Sequence, residues 1–135
     1  MTIDLSAVSA ALRAKARGLV ADEAAVELLI AHRSWLARTD FTGGFLHVAR
    51  GLRCGSEMAA VDWAGAVISL QAGQLACSTS EQQILRIIAS LADGIPVDLR
   101  DVLTGLDETN LGLVAAAVWH AGGHRPNAWK EGEGS

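Results

Sequence analysis

The stretch SEQQILRIIASLADG, residues 80–94, decides the fold. Ile84, Leu85, Ile88, Leu91 and Ala92 recur at intervals of three and four, the stripe of an amphipathic helix. Ser80 with Gln83 three residues on has the pattern of a capping box, in which each side chain satisfies an orphan backbone N–H of the first turn. Gly94 closes the helix and Pro96 follows two residues later, where a helix cannot continue.

The same punctuation repeats on both sides of this segment. Asp62 is an N-cap residue for a helix from Trp63 to about Ala72, with Val67, Ile68 and Leu70 facing inward and Gly73 at its end. Asp98 caps a short helix over Leu99–Leu103, and Gly105 breaks it. Asp107 caps a last helix from Glu108 to about Ala121, stopped by Gly122-Gly123. Leu111, Val114 and Val118 form one stripe there and Ala115–Ala117 widen it, so this helix is expected to be central and buried on most sides.

Nearer the N-terminus, residues 4–17 carry Leu5, Val8 and Leu12 at helical spacing, continued by Leu19, with Gly18 as a stop. A second helix is expected from about Asp22 to Ala37, with Val26, Leu29, Ile30 and Leu36 as its stripe. Residues 38–44 read as a loop, because Gly43-Gly44 favours an unusual backbone. Segments 45–49 and 58–61 fit helix or strand. The turn-rich run from Arg50 to Ser56 between them favours a hairpin. The expectation is a mainly α protein, a compact helical bundle of five or six helices with at most one small β-hairpin. Residues 1–124 form a single helical domain, and the polar, glycine-rich residues 125–135 a flexible C-terminal tail.

Composition excludes several classes. A chain of 135 residues that is 50% hydrophobic and 19% charged can fill one core, and it lacks the low hydrophobicity and high net charge of a disordered segment. Two cysteines do not make a disulfide scaffold. A net charge of −4 argues against general nucleic-acid binding, which needs a basic surface. No apolar run is long enough to span a membrane, and Asp4 stands where a signal peptide carries positive charge. With free cysteines, this points to the cytoplasm. Nine arginines to two lysines, with abundant alanine, match a high-GC genome.

Residues 77–125, CSTSEQQILRIIASLADGIPVDLRDVLTGLDETNLGLVAAAVWHAGGHR, together with Val61-Asp62-Trp63, resemble the C-terminal part of small uncharacterised helical proteins of high-GC bacteria. The resemblance covers a little over half the chain. That group has no assigned function, so the resemblance implies no cofactor and carries no catalytic residue.

The residues themselves offer few chemical constellations. His120 and His124 have the i, i+4 spacing of a metal pair, but Gly122-Gly123 should end the helix between them, and a third ligand is missing. Cys54 and Cys77 lack zinc-ribbon or CxxC spacing, and a thiol nucleophile needs a positioned base. Asp93, Asp98, Asp101, Asp107 and Glu108 read as caps and solvated acids. Gly51–Ser56 fails the phosphate-loop pattern in both its spacing and its missing lysine. His32 shares an apolar face with Ala25, Leu29 and Leu36 and reads as a partly buried histidine. Neither a metal nor a cofactor is assigned.

The expected function is that of a small cytoplasmic protein–protein interaction or regulatory protein without catalytic activity. The alternative is a small enzyme or ligand-binding protein with a site near Gly43-Gly44, drawing on Asp40, His47, Cys54 and Asp62, with His32 as a further polar group. A nucleic-acid accessory role through Arg13, Lys15 and Arg17 ranks third. A homodimer is expected, with residues 3–19 as an interface arm through Leu5, Val8, Leu12 and Leu19. A further protein partner fits the same reading, and no membrane is involved.

Overall fold

The computed structural model describes residues 5–50 and 57–124. Among them are seven helices and one two-stranded antiparallel hairpin, in the order α1 (Leu5–Ala16), α2 (Val20–His32), α3 (Thr39–Phe45), β1 (Leu46–Arg50), β2 (Glu57–Val61), α4 (Trp63–Gln71), α5 (Thr79–Asp93), α6 (Leu99–Thr104) and α7 (Glu108–Ala121). The mainly α fold with a small hairpin matches the expectation. Residues 125–135, expected to be a flexible tail, lie outside the described residues, as does Cys54.

Helices α2 and α5 form the centre. α2 packs against α1, α5 and α7, while α5 also touches α4, α6 and α7. His32 at the end of α2 feels the charges of Glu81 at the start of α5 and Asp107 just before α7, so α2 runs antiparallel to both. Leu28, Leu29, Ile84, Leu85 and Ile88 are fully buried between these helices. The hairpin pairs Leu46 with Val61 and Arg50 with Glu57, and lies on α1 through β2, where Ala59 is buried. Packing on a helix is what lets so small a hairpin persist.

Four local readings are corrected. The capping box of α5 is made by Ser78 and Glu81, not by Ser80 and Gln83. Ser78 Oγ accepts from the Glu81 N–H at 3.2 Å, and Glu81 Oε1 accepts from the Ser78 N–H at 2.9 Å. A carboxylate at this position also complements the helix dipole, which an amide does not. Ser80 instead accepts a hydrogen bond from Asn110 of α7 at 2.9 Å. Next, α2 ends at His32 rather than Ala37. Arg33 takes φ 71°, and the turn that follows drops Trp35 and Leu36 into the core.

Residues 39–45 form α3 although they contain Gly43-Gly44. Phe41 and Phe45, four apart, sit on one face, and the ring of Phe41 lies 5.5 Å from Trp35 and 6.2 Å from Trp63. This aromatic cluster outweighs the poor helix propensity of two glycines, about 1 kcal/mol each. Both glycines are exposed and neither has a positive φ. In α4, Ile68 points outward rather than inward, being 65% exposed.

The N-terminal helix does not reach out as an arm. Val8, Ala11, Leu12 and Ala16 are buried against α2 and the hairpin, and Arg13 makes a bidentate ion pair with Glu27 of α2 at 2.8 and 3.0 Å. Its apolar seam completes the core of its own subunit, leaving only Leu5 and Leu19 exposed.

Candidate functional site

Of the four residues near Gly43-Gly44 singled out by sequence, the structure describes three, Asp40, His47 and Asp62. Asp40 lies in the first turn of α3, where both carboxylate oxygens are held by Arg38, at 2.9 Å from Nε and 2.6 Å from Nη2. The hydrogen bonds from Arg38 hold the Asp40 carboxyl below its usual range. His47 is exposed on β1, opposite Ala60. Asp62 caps α4, and its Oδ1 accepts from the Gly65 N–H at 3.1 Å. Cys54 lies in the segment outside the described residues. Asp62 follows β2 directly, and its N–H donates to the Phe45 carbonyl at 2.8 Å, so it adjoins the strand that bears His47. Asp40 is occupied elsewhere, by its ion pair.

The denser polar cluster escaped the sequence reading. It forms where the end of α2 and the turn before α3 meet the start of α5. The Arg38 guanidinium lies 4.7 Å over the Trp35 ring and donates through Nη1 to the Ala76 carbonyl at 2.7 Å, besides its pair with Asp40. Trp35 Nε1 donates to the Glu81 carbonyl at 3.0 Å. Cys77, half-buried beside these groups, has its thiol pushed up by burial first and by the Glu81 carboxylate second. Glu81 is held low chiefly by its hydrogen bond from the Ser78 backbone. Burial pushes the His32 imidazole below its ordinary value, and its Nδ1 is enclosed without a hydrogen-bond partner. The donors and acceptors of this cluster are largely spent on each other. It pins the α2–α3 turn to α5, and a thiol held neutral is a poor nucleophile. Arg38 gave no signal as the centre of a cluster because, although Asp40 is only two residues away, its contact with Ala76 spans 38 residues and is made by the fold.

The remaining candidates are dispersed. Arg13 is committed to Glu27, which removes it from a basic patch with Lys15 and Arg17. His124 lies beyond α7 and stacks on Trp119 with ring centroids 4.7 Å apart. Asp98 and Asp107 cap α6 and α7 by accepting from Arg100 and Asn110 N–H groups. Among the described residues, no group of three or more His, Cys, Asp or Glu side chains is placed to hold a metal ion. Also among them, no helix is long and apolar enough to cross a membrane.

Two surface features remain. A cleft of about 240 Å³ lies between α1, α2, β2, α4 and the end of α5. Leu12, Val26 and Trp63 line it together with Lys15, Asp22, Asp62 and Asp93. The other feature is the outward face of α7. Leu111, Gly112, Ala115, Val118 and Trp119 fall within a third of the helix circumference and are all exposed, Val118 to 57% and Trp119 to 58%. Only Val114 and Ala117 of this helix are buried. The expectation of a central α7 is thereby corrected: the helix lies on the outside of α2 and α5, and Leu111 and Val118 stay exposed although they flank buried Val114 on the helix.

The chain matches no family model, no curated protein and no solved structure. The reading of its surface therefore rests on this geometry alone.

Proposed function

We propose that this protein is a small cytoplasmic protein–protein interaction or regulatory protein that works by docking, without catalysis of its own. The observation that carries the reading is the face of α7. From Thr109 to Trp119 the helix has no charged residue, and its outer side presents Leu111, Val118 and Trp119 to solvent. A helix apolar all round is ordinarily buried, and contiguous exposed apolar surface marks an interaction site. The state of the catalytic candidates supports the same reading. The Asp40 carboxylate is held by Arg38, that of Asp62 caps α4, and the Cys77 thiol is pushed away from the thiolate that a nucleophile needs.

A ligand-binding protein is the second reading, favoured by the cleft that Asp62 and Trp63 help to line. Its volume falls below the roughly 300–1,000 Å³ of sites for drug-sized ligands. The two readings separate in one experiment. A photoreactive amino acid is placed at Val118 of the full chain, and at exposed Ala64 as a control, and activated in the source cells. Covalent adducts to protein, self or other, are expected at 118 and not at 64. No protein adduct at 118 overturns the interaction reading.

A further inference from the structure

We infer that the cleft between α1, α2, β2, α4 and the end of α5 binds a small organic ammonium ion, a primary amine on a short apolar stem. The site is separate from the face of α7, so it stands or falls independently of the docking reading above.

The floor of the cleft sets the apolar part. Leu12, Ala25, Ala59 and Trp63 line it and are all buried. The cleft holds about 240 Å³, about eight times the share of one water molecule in the liquid, which is room for about seven non-hydrogen atoms. That suits one short stem with its head group, and not a drug-sized ligand, whose sites span roughly 300–1,000 Å³.

The remaining lining sets the charge. Asp22, Asp62 and Asp93 stand there with a single cation, Lys15, so negative charge is in excess. Among the described residues the ion pairs are Arg13 with Glu27 and Arg38 with Asp40, so none of the three carboxylates is neutralised by a neighbour.

Helix ends account for all of these charges but one. Lys15 stands in the last turn of α1 and Asp22 in the first turn of α2, while Asp62 caps α4 by accepting from the Gly65 N–H at 3.1 Å. Each complements the dipole of its own helix. Asp93 does the reverse. It is the last residue of α5, whose last turn carries no basic residue. It adds a carboxylate to the end where the dipole is already negative and the last carbonyls lack helical partners. A bound ammonium supplies the cation that this helix end lacks. It meets Asp93 and Asp22 in one cleft, while its stem leaves water for the apolar floor. An anion of the same shape meets the excess of carboxylates and is rejected.

The test is titration of the isotope-labelled full chain with hexylammonium chloride, followed by NMR at the backbone amides of Val26 and Asp93 and at the Trp63 indole. Saturable shifts confined to residues lining the cleft are expected, with a dissociation constant on the order of 1 mM for a ligand of this size. Hexanol, which has the stem without the cation, is expected to bind at least about threefold more weakly, and hexanoate more weakly still. Asp93→Asn is expected to weaken hexylammonium about threefold. The same change is expected to raise the melting temperature of the empty protein by about 2 °C, because it relieves the end of α5. That opposite movement excludes misfolding as the cause. Lys15→Gln removes a competing cation and is expected to tighten binding about twofold.

No saturable shift at the cleft up to about 20 mM, a concentration well above the expected constant, overturns the site. So does equal binding of hexanol, or an Asp93→Asn chain that binds hexylammonium as before. Nα-acetyllysine amide carries the same chemistry on a peptide backbone. If it binds more tightly than hexylammonium, the cleft belongs to a lysine side chain of a partner protein and the free amine is overturned.

Discussion

Helices α5 and α7 are close in length, and each begins at a side-chain cap, yet they meet water in opposite ways. α5 buries Ile84, Leu85, Ile87, Ile88 and Ala89 and turns Glu81, Gln82, Arg86 and Ser90 toward its less buried side. α7 buries only Val114 and Ala117 and presents Leu111, Val118 and Trp119 outward. A stripe with polar flanks is completed within one subunit. A helix apolar on every side has more nonpolar surface than one neighbour covers, and in this fold α7 leaves Leu111, Val118 and Trp119 exposed, with His124 set against the Trp119 ring. The first helix makes the intermediate case: Val8 and Leu12 are buried at home, and only Leu5 and Leu19 remain exposed.

The sharpest way to break this contrast is truncation of one aliphatic side chain on each helix. Ile88→Ala is expected to cost about 3 kcal/mol, because Ile88 is fully enclosed and its loss leaves a cavity. Val118→Ala, measured on dilute monomer, is expected to stay within about 0.5 kcal/mol. Urea denaturation of both variants decides it. Comparable losses would mean that the outer face of α7 is covered within the subunit.

The helix ends are expected to behave alike where the faces differ. Ser78→Ala removes half of the α5 capping box, and Asp107→Ala removes the cap of α7, which accepts from Asn110 N–H at 2.8 Å. Each is expected to cost about 1 kcal/mol in thermal or urea unfolding. A negligible effect at Asp107 alone would show that α7 is held by its packing on α2 and not by its own start.

A smaller effect comes from His32, which lies against the starts of both helices. Burial lowers its value in the folded state below 6.5, so the fold favours the neutral ring. For a group depressed in this way, stability is complete above the unfolded value and is lost as pH falls through the folded one. Urea midpoints are therefore expected to decline as pH drops below 6.5, and His32→Gln to flatten that part of the profile. A midpoint that rises on acidification over this range would reverse the assignment of His32 as a buried neutral group.

The smallest expected effect is at Cys77, just before α5. Because burial raises its thiol, alkylation by iodoacetamide at pH 8 in a Cys54→Ser chain should run at least about threefold slower than in urea, where the thiol is free. Faster reaction in the folded chain would restore Cys77 as a candidate nucleophile and draw chemistry back to the start of α5.

Much of the fold was legible from local signals. The caps at Asp62, Asp98 and Asp107 appear as read, because an N-cap is a contact between residues three or fewer apart. The period of α5 is likewise carried by its own residues. Where two local signals competed, sequence reading chose less well: Ser78-Glu81 and Ser80-Gln83 share one pattern, and the contact of Ser80 with Asn110, thirty residues away, distinguishes them. Gly43-Gly44 read as a loop because propensity is local, whereas the rings that hold α3 come from Trp35 and Trp63.

The candidate site was least legible. Arg38, Trp35 and Glu81 are brought together by a turn at Arg33 and a contact across 46 residues, so no spacing announces them. The apolar character of α7 is written in its residues, but not which side faces out. That side follows from where α2 and α5 lie, since a helix is covered only where another element reaches it. Local hydrogen bonds and periodicity thus made helices and their ends readable in the chain. Burial and exposure are sums over distant neighbours, and these settled which apolar face stayed open.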